Sequence, residues 1–237
     1  LFEPEHVRGV AVIVDILRAS TTISHALSNG AAGIIPCLTV DDALSVRQEY
    51  GSYNCLIGGE RGGVKIDGFD LSNSPDDYST DVVSGKTIGF TTTNGTKALL
   101  RCGNADSILI GAFVNFSAVL RQVVSKSQPL HIVCAGTNGA VTGEDVLFAG
   151  ALAHAVRNAK PDSEFNDQAS VAEGYWLTEC GGLDDRKIES AMRRAQGGRN
   201  LMRLGYEKDI ATAAACDSVS HVGVVDSNGL ICCRSAR

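Results

Sequence analysis

The sequence predicts an α/β fold with a largely parallel or mixed sheet that is covered by helices on both faces. Short apolar runs of the kind found in strands buried on both faces recur along the chain. Segments with helical periodicity separate these runs, as in alternating strand and helix units. With 237 residues the chain can form one large domain or two lobes that share a sheet. We interpret it as a single domain spanning residues 1–237.

The individual elements follow from periodicity and from the residues that begin helices. Strands are predicted in six apolar runs, Val10 to Asp15, Gly33 to Cys37, Asn54 to Ile57, Thr87 to Thr91, Ser107 to Ile110 and Leu130 to Cys134. Helices are predicted after strands or turns, at Ser20 to Ser28, Asp41 to Tyr50, Gly95 to Arg101, Asn115 to Ser125 and Gly143 to Asn158.

The rest of the chain divides into a helical part and a closing hairpin. Asp167 to Gly205 is predicted to be helical, with pairs of glycines that interrupt it. Val222 to Val225 and Leu230 to Cys233 are predicted to pair through a tight Asn228-Gly229 turn. Gly58 to Tyr78 reads as neither helix nor strand. Because long irregular segments in compact domains often carry function, we expect this one to do so.

Composition excludes several classes of protein. The formal net charge is -6 with scattered basic residues, so no nucleic-acid-binding face is expected. No apolar run is long enough to span a membrane and no signal segment is visible, so we expect a soluble cytoplasmic protein without a membrane partner. Dimers are common among soluble proteins, so a homodimer is one expected arrangement, and the sequence leaves the oligomeric state open. The cysteines at 37, 55, 102, 134, 180, 216, 232 and 233 lack zinc-site spacing and are predicted to be free thiols.

The first candidate site segment joins the first predicted strand to the first predicted helix. Asp15 ends the strand, Arg18 follows in the loop, and Ser20 and Thr21 begin the helix. Ligands of α/β sheets bind beyond strand ends, where helix N-termini and arginine attract anions. We therefore predict that this segment binds an anionic ligand. The alternative is that Ser20 is a plain helix cap and Asp15 faces solvent.

A second strand-turn-helix segment carries Thr93, Asn94, Gly95 and Thr96. Its hydroxyl groups and N–H groups could surround a phosphate, although the spacing of a P-loop is absent. Asn-Gly also makes ordinary turns, so this signal is weak when taken alone.

A third segment places Cys134 before Gly136 and Thr137, followed by Glu144 and Asp145 at a helix start. A cysteine phosphatase would need an arginine at position 140, which is Ala, so we interpret Cys134 as structural. The two acidic residues either interact with the helix dipole and have no further role, or one of them is a metal ligand.

The fourth segment is the glycine-rich stretch that contains Glu60 and Arg61, together with Asn73 and Ser74 further along. An acid and an arginine between glycines can present a metal ligand and an anion clamp, and a surface salt bridge is the alternative.

In this order, V-D-I-L-R-A-S-T-T, G-G-E-R-G-G, G-F-D-L-S-N-S-P, T-T-T-N-G-T, C-A-G-T and G-E-D closely resemble the 2-phosphosulfolactate phosphatase family of coenzyme M biosynthesis. The resemblance spans nearly the whole chain. It implies a magnesium-dependent phosphatase acting on 2-phospho-3-sulfolactate and related 2-phospho acids. It also implies that the site is surrounded by Asp15, Arg18, Ser20, Glu60, Arg61, Asn94, Gly95, Thr96 and Asp145. The chain begins at Leu1 without Met, and part of the family's first strand is expected to be absent.

Our mechanistic hypothesis assigns catalytic roles to Asp15, Arg18, Glu60 and Arg61. The two arginines would hold the carboxylate and sulfonate of the substrate, while Mg²⁺ would bind to Asp15 and Glu60, with Asp145 as a further ligand. The predicted substrate-binding residues are Ser20, Thr21, Asn73, Ser74, Thr93, Asn94, Gly95, Thr96, Gly136 and Thr137.

Three alternatives stay open at this point. A haloacid-dehalogenase-type enzyme would use Asp15 as its nucleophile, but it needs an acid at position 17, which is Leu. A nucleotide-binding protein is disfavoured by the missing P-loop spacing. A non-catalytic binding module for phosphorylated acids would use the same loops.

Overall fold

The computed structural model describes residues 7–234, so the expectation about the start of the first strand lies outside the described residues. The strands are β1 (Val10–Val14), β2 (Gly33–Pro36), β3 (Cys55–Arg61), β4 (Val64–Lys65), β5 (Thr87–Thr91), β6 (Ser107–Gly111), β7 (Leu130–Cys134), β8 (Val222–Val225) and β9 (Ile231–Arg234). They form one sheet in the order β4-β3-β5-β2-β9-β8-β6-β1-β7.

The described helices cover both faces of this sheet. They are α1 (Ala19–Ser28), α2 (Val40–Tyr50), α3 (Thr80–Val83), α4 (Gly95–Arg101), α5 (Phe116–Val124), α6 (Gly143–Ala159), α7 (Asp167–Glu179), α8 (Asp185–Arg194), α9 (Gln196–Leu204) and α10 (Glu207–Ala214). Short 3₁₀ turns occur at Pro75–Asp77 and Phe113–Asn115. Not one helix within residues 7–234 is both long and apolar enough to cross a lipid bilayer.

The sheet consists of two parallel halves that run in opposite directions. In one half β5 lies parallel to β2 and β3, and in the other β1 lies parallel to β6 and β7. The β8–β9 hairpin joins the halves through antiparallel pairs, β9 with β2 and β8 with β6. The α/β prediction with a mixed sheet is confirmed, and so is the closing hairpin.

Alternation along β1 explains why both faces of the sheet are covered. Val10, Val12 and Val14 belong to a core shared with α5, α6, α7 and α10. Ala11 and Ile13 belong to the opposite core, which contains residues of α1, α4 and both half-sheets. Because successive side chains of a strand point to opposite faces, a strand buried on both faces must be apolar throughout.

The strand ends that carry the candidate residues meet although the two half-sheets run in opposite directions. A Cβ built on Gly95, just after β5, would lie 2.6 Å from Asp15 Oδ2, just after β1. Five neighbour-to-neighbour steps separate these strands, and each step in a sheet adds a twist of about 20–25°. Helix α1 contacts strands of both halves. The twisted sheet thus brings the two ends together around α1 and α4.

One prediction about local structure was wrong. Gly58 to Tyr78 is not wholly irregular, because β3 continues to Arg61 and turns through Gly62 and Gly63 into β4. Both glycines have positive φ, 63° and 87°, which a tight hairpin turn requires. The helical prediction for Asp167 to Gly205 is confirmed, and the interruptions separate α7, α8 and α9.

Candidate active site

A cavity of about 450 Å³ lies where the loops after β1, β5 and β7 meet the β3–β4 hairpin and helix α9. This volume lies within the usual range for small-ligand sites. The cavity is lined by Asp15, Leu17, Arg18, Glu60, Gly62, Gly63, Asn73, Thr93, Asn94, Gly136, Thr137, Asn138, Glu144, Gly197, Asn200, Leu201, Arg203 and Leu204. Residues from all four candidate segments are thus brought together.

Asp15 follows β1 directly, and its carboxylate lies at the cavity. Among the described residues no donor forms a hydrogen bond with its Oδ2. Its Oδ1 accepts a hydrogen bond from Ala19 N at 3.3 Å, which holds the side chain against the start of α1. Burial, together with the negative charges of Glu60 and Glu144, raises the pKa of Asp15 to about 7. A cation near this carboxylate would oppose all three effects.

Glu60 faces the cavity, but both of its carboxylate oxygens accept backbone hydrogen bonds. Gly63 N donates to Oε2 and Thr93 N donates to Oε1, each at 2.7 Å. This side chain therefore connects the β3–β4 hairpin to the loop after β5. Loop positioning is its visible role in the structure.

Asp145 makes an analogous connection between the loops after β1 and β7. Its Oδ1 accepts from Ile16 N and its Oδ2 from Gly136 N, both at 2.9 Å. Burial, followed by the charges of Asp15 and Glu144, raises the pKa of Asp145 well above its usual value. The buried carboxyl group of Asp145 does not line the cavity.

Glu144 lines the cavity from the first turn of α6, where the sequence left its role open. It accepts a long hydrogen bond, 3.4 Å, from Gly197 N at the start of α9. A Cβ at position 197 would lie 2.1 Å from Glu144 Oε1, so only glycine leaves room for this carboxylate. Burial raises the pKa of Glu144, as it does for Asp15.

Arg18 lies at the cavity, yet its charge is already balanced. Its Nη1 donates to Asp209 Oδ2 at 2.7 Å within a fully buried ion pair, and its Nη2 donates to Gly63 O at 2.6 Å. The guanidinium also lies over the ring of Tyr206, 4.3 Å from its centroid. These contacts join the first loop, the hairpin and α10, and they leave only the remaining N–H groups for a ligand.

Arg61 is not brought to the cavity. It follows Glu60 on β3, and adjacent strand residues point to opposite faces. Its guanidinium donates to Glu60 O, to Thr91 Oγ1 at 2.9 Å and to Leu38 O. The predicted pair of arginine clamps therefore does not form. The cause is that β3 continues to Arg61, through residues that the sequence pattern predicts to be an irregular loop.

Several predicted substrate-binding hydroxyl groups instead hold the backbone of the site in place. Ser20 Oγ accepts from Asp15 N at 2.9 Å, and Thr21 Oγ1 donates to Ile16 O at 2.9 Å. Ser74 Oγ donates to Asp209 Oδ1 at 2.7 Å, and Thr96 Oγ1 accepts from Thr92 N at 3.1 Å. All four side chains are buried, and none lines the cavity.

Asn73 and Thr93 differ from these residues, because their polar atoms lack partners. Asn73 Oδ1 and Thr93 Oγ1 are buried and have no hydrogen-bond partner among the described residues. The backbone at Asn73 is nevertheless fixed, since its carbonyl accepts from Thr22 Oγ1 at 2.8 Å. Unpartnered buried polar groups are costly, and at a cavity wall they favour a polar ligand. Asn94, Gly136 and Thr137 also line the cavity, as predicted.

Cys134 does not have the environment of a nucleophile. It ends β7 and does not line the cavity. Burial raises the pKa of its thiol far above the ordinary value, and the charges of Asp145 and Glu144 raise it further. A thiolate is therefore strongly disfavoured, which agrees with the structural interpretation of this residue. All eight cysteines lie within the described residues and carry free thiols.

Helix α9 forms a wall of the cavity that no sequence motif indicated. Gly197, Asn200, Leu201 and Leu204 form a helical stripe along the cavity, and Arg203 flanks this stripe. The available signal was the Gly197-Gly198 pair at a helix start. A glycine pair indicates that another part of the chain packs closely against the helix backbone, but it does not indicate which part.

The donor set at the cavity suits a hard cation that keeps several water ligands. Across residues 7–234 no cluster of three or more His, Cys, Asp and Glu side chains is placed to hold a metal ion. Asp15 and Glu144 both line the cavity and supply carboxylate oxygens, and each has a pKa raised by burial. Mg²⁺ is commonly bound through one or two carboxylates plus water and substrate oxygens. These two side chains fit such an ion.

Comparison with known proteins gives a consistent result. The family model described as 2-phosphosulpholactate phosphatase matches residues 1–228. A protein of Clostridium acetobutylicum is 38% identical over 212 residues, which cover 90% of this chain and 87% of the relative. A Thermotoga petrophila protein is 41% identical, covering 84% and 82%, and a Clostridium botulinum protein is 40% identical, covering 94% and 91%. All three relatives are named probable 2-phosphosulfolactate phosphatase.

Proposed function

The chain belongs to the 2-phosphosulfolactate phosphatase family and is a phosphoric monoester hydrolase, and from this premise we propose that it hydrolyses 2-phospho-3-sulfolactate with Mg²⁺ as cofactor. A closely related 2-phospho acid is the alternative substrate. The observation that carries the proposal is the lining of the cavity, which combines three carboxylates with two guanidinium groups. Such a lining can hold a cation and a multiply charged anion side by side.

Asp15 and Glu144 are the residues that would hold the cation. Both line the cavity, and the charge of Glu144 raises the pKa of Asp15. This choice replaces the earlier ligand set of Asp15, Glu60 and Asp145, because both oxygens of Glu60 and of Asp145 accept short backbone hydrogen bonds, at 2.7 and 2.9 Å. The backbone hydrogen bonds to Asp15 and Glu144 are longer, 3.3 and 3.4 Å. Bound Mg²⁺ would supply neutralisation of the charge on the phosphoryl oxygens.

The remaining residues would orient the phosphate and the loops around it. Thr93 Oγ1 is an unpartnered hydroxyl group that could donate to a phosphoryl oxygen, whereas the unpartnered Oδ1 of Asn73 can only accept, for example from a water ligand of the cation. Arg18 would contribute its free N–H groups from a position fixed by Asp209. Glu60 would keep the hairpin in contact with the loop after β5, so that the donors stay in register.

Phosphate release from a panel of 2-phospho acids, measured with added Mg²⁺ and with excess chelator, tests this proposal. We expect turnover of 2-phospho-3-sulfolactate with Mg²⁺ and its loss with chelator. Full turnover after dialysis against chelator would refute the role of the cation. Tight binding without release under any divalent metal would favour the non-catalytic binding module.

Rapid-quench mass spectrometry separates direct attack by water from a covalent mechanism. With Asp15 as a metal ligand, no phosphate should become attached to the enzyme during turnover. A phosphorylated Asp15 would instead favour the haloacid-dehalogenase type of chemistry, although Leu17 stands where that signature has a second acid.

A further inference from the structure

We infer that Arg203, supported by Asn200, is the residue that recognises the second strongly acidic group of the substrate and so selects sulfonated over plain 2-phospho acids. This inference rests on the proposed function. It adds a specificity-determining residue on α9, outside the four loop segments that carry the reacting end of the site.

Charge balance at the cavity points to Arg203. Of the two arginines in the lining, Arg18 is neutralised by Asp209 and occupied by Gly63 O and Tyr206. Arg203 forms no ion pair with any acidic side chain between residues 7 and 234. Its charge is therefore available to an incoming anion.

The contact between Arg203 and Asn200 fixes the direction of the guanidinium. Arg203 Nη2 donates to Asn200 Oδ1 three residues earlier on α9, and both residues line the cavity. Side chains of an α-helix lean toward its N-terminus, which for α9 is the end at Gly197 and Glu144. The guanidinium thus leans along the cavity toward the carboxylates, and the amide of Asn200 stays beside it.

The separation along α9 suits a substrate with two anionic ends. Six residue steps lead from Gly197 to Arg203, and over them the helix backbone advances about 9 Å along its axis. Part of this distance is spanned by the arginine side chain, which leans back toward Gly197. The rest leaves room for a short carbon chain between a phosphate near Asp15 and Glu144 and an anion at Arg203. A guanidinium presents a planar fork of N–H donors that matches sulfonate or carboxylate oxygens.

The substrate class follows from this arrangement. In a phosphate monoester that ends in a methyl group, the only other anion is the carboxylate on the carbon that bears the phosphate, and no anionic group lies one carbon further out, where the sulfonate would meet Arg203. A compound with a terminal sulfonate would use it.

The test compares two substrates in wild type, Arg203→Gln and Arg203→Lys. One substrate is 2-phospho-3-sulfolactate and the other is 2-phospholactate, which has a methyl group in place of the sulfonated carbon. Lys208→Gln, which removes one positive charge from an exposed position on α10 that does not line the cavity, is the matched control. KM and kcat are measured separately for each pair.

We expect Arg203→Gln to lower kcat/KM for the sulfonated substrate by about 10–100-fold, mainly through KM, the effect of losing a charge-assisted hydrogen bond. The value for 2-phospholactate should change by less than about threefold. Arg203→Lys should recover part of the loss because it keeps the charge without the fork. The control should behave as wild type toward both substrates.

An equal loss for both substrates, or no loss for either, would overturn the inference and leave the phosphatase proposal intact. If wild type hydrolyses neither compound, the proposed function fails first. Calorimetric binding of 3-sulfolactate and lactate to wild type and Arg203→Gln then still decides the inference. Weaker sulfolactate binding in the variant supports it, and unchanged binding overturns it.

Discussion

Replacing Asp15 by Asn should stabilise the cation-free protein at alkaline pH, although the same change should remove activity. Burial and, to a smaller extent, the charges of Glu60 and Glu144 raise the pKa of Asp15 from 3.8 to about 7. The unfolded chain ionises this carboxyl group at its ordinary pKa, so folding of the wild type at pH 8 must also place a charge in an unfavourable site. The difference between the two pKa values lowers the free energy of unfolding of the wild type at pH 8 by about 4 kcal/mol.

The pH window follows from the direction of the pKa change. A raised carboxyl pKa means that the folded protein binds the proton more tightly than the unfolded chain does. The stability that comes from this proton is present below the ordinary pKa near 4 and is lost as the pH rises to about 7. Asp15→Asn removes this dependence. Its stability advantage over wild type should therefore grow from pH 4 to pH 7 and stay constant above pH 7.

Thermal unfolding in chelator, recorded for both proteins from pH 4 to pH 9, measures the effect. For a chain of this length about 4 kcal/mol corresponds to a Tm difference of roughly 10 °C at pH 8. Added Mg²⁺ should narrow the difference, because an ion that binds only the folded wild type stabilises it. Equal Tm values for the two proteins at every pH would refute the reasoning about the environment of Asp15.

Three further substitutions test other parts of the site. Gly95→Ala should abolish turnover, since its Cβ would lie 2.6 Å from Asp15 Oδ2 and displace that carboxylate, and phosphate release measures this. Glu60→Gln should lower stability by about 1–3 kcal/mol in denaturant titration, because an amide cannot accept two backbone hydrogen bonds on separate oxygens. Cys134→Ser should keep substantial turnover, and loss comparable to that of Gly95→Ala would show that the thiol takes part in the reaction.

Glu60 and Asp145 illustrate that sequence motifs can locate residues without indicating which atoms those residues contact. Glu60 and Asp145 lie beside the site, as the motifs suggested. In each residue the two carboxylate oxygens accept hydrogen bonds from backbone N–H groups of two different loops. Their positions come from pairing between segments that are distant in sequence, and a motif does not contain that information.

The arginines show the same limit in a different way. The sequence predicts equally for Arg18 and Arg61 that the side chain binds an anionic group of the substrate. In the structure Arg18 is paired with Asp209, which is 191 residues later in the chain, and Arg61 points away because β3 extends through it. The cavity instead presents Arg203, whose helix had no motif that linked it to the strand-end loops.

The sequence by itself determined the α/β class, most strand and helix positions, the closing hairpin and the loops that form the site. It could do so because these features depend on local periodicity, on turn residues and on apolar strands that are buried on both faces. The tertiary structure alone decided that two opposed half-sheets meet at Asp15 and Gly95, and that Glu144 and Arg203 face the same cavity. The physical reason is that sheet twist and helix packing act over the whole fold, so the direction of each polar side chain is fixed only when its distant neighbours are in place.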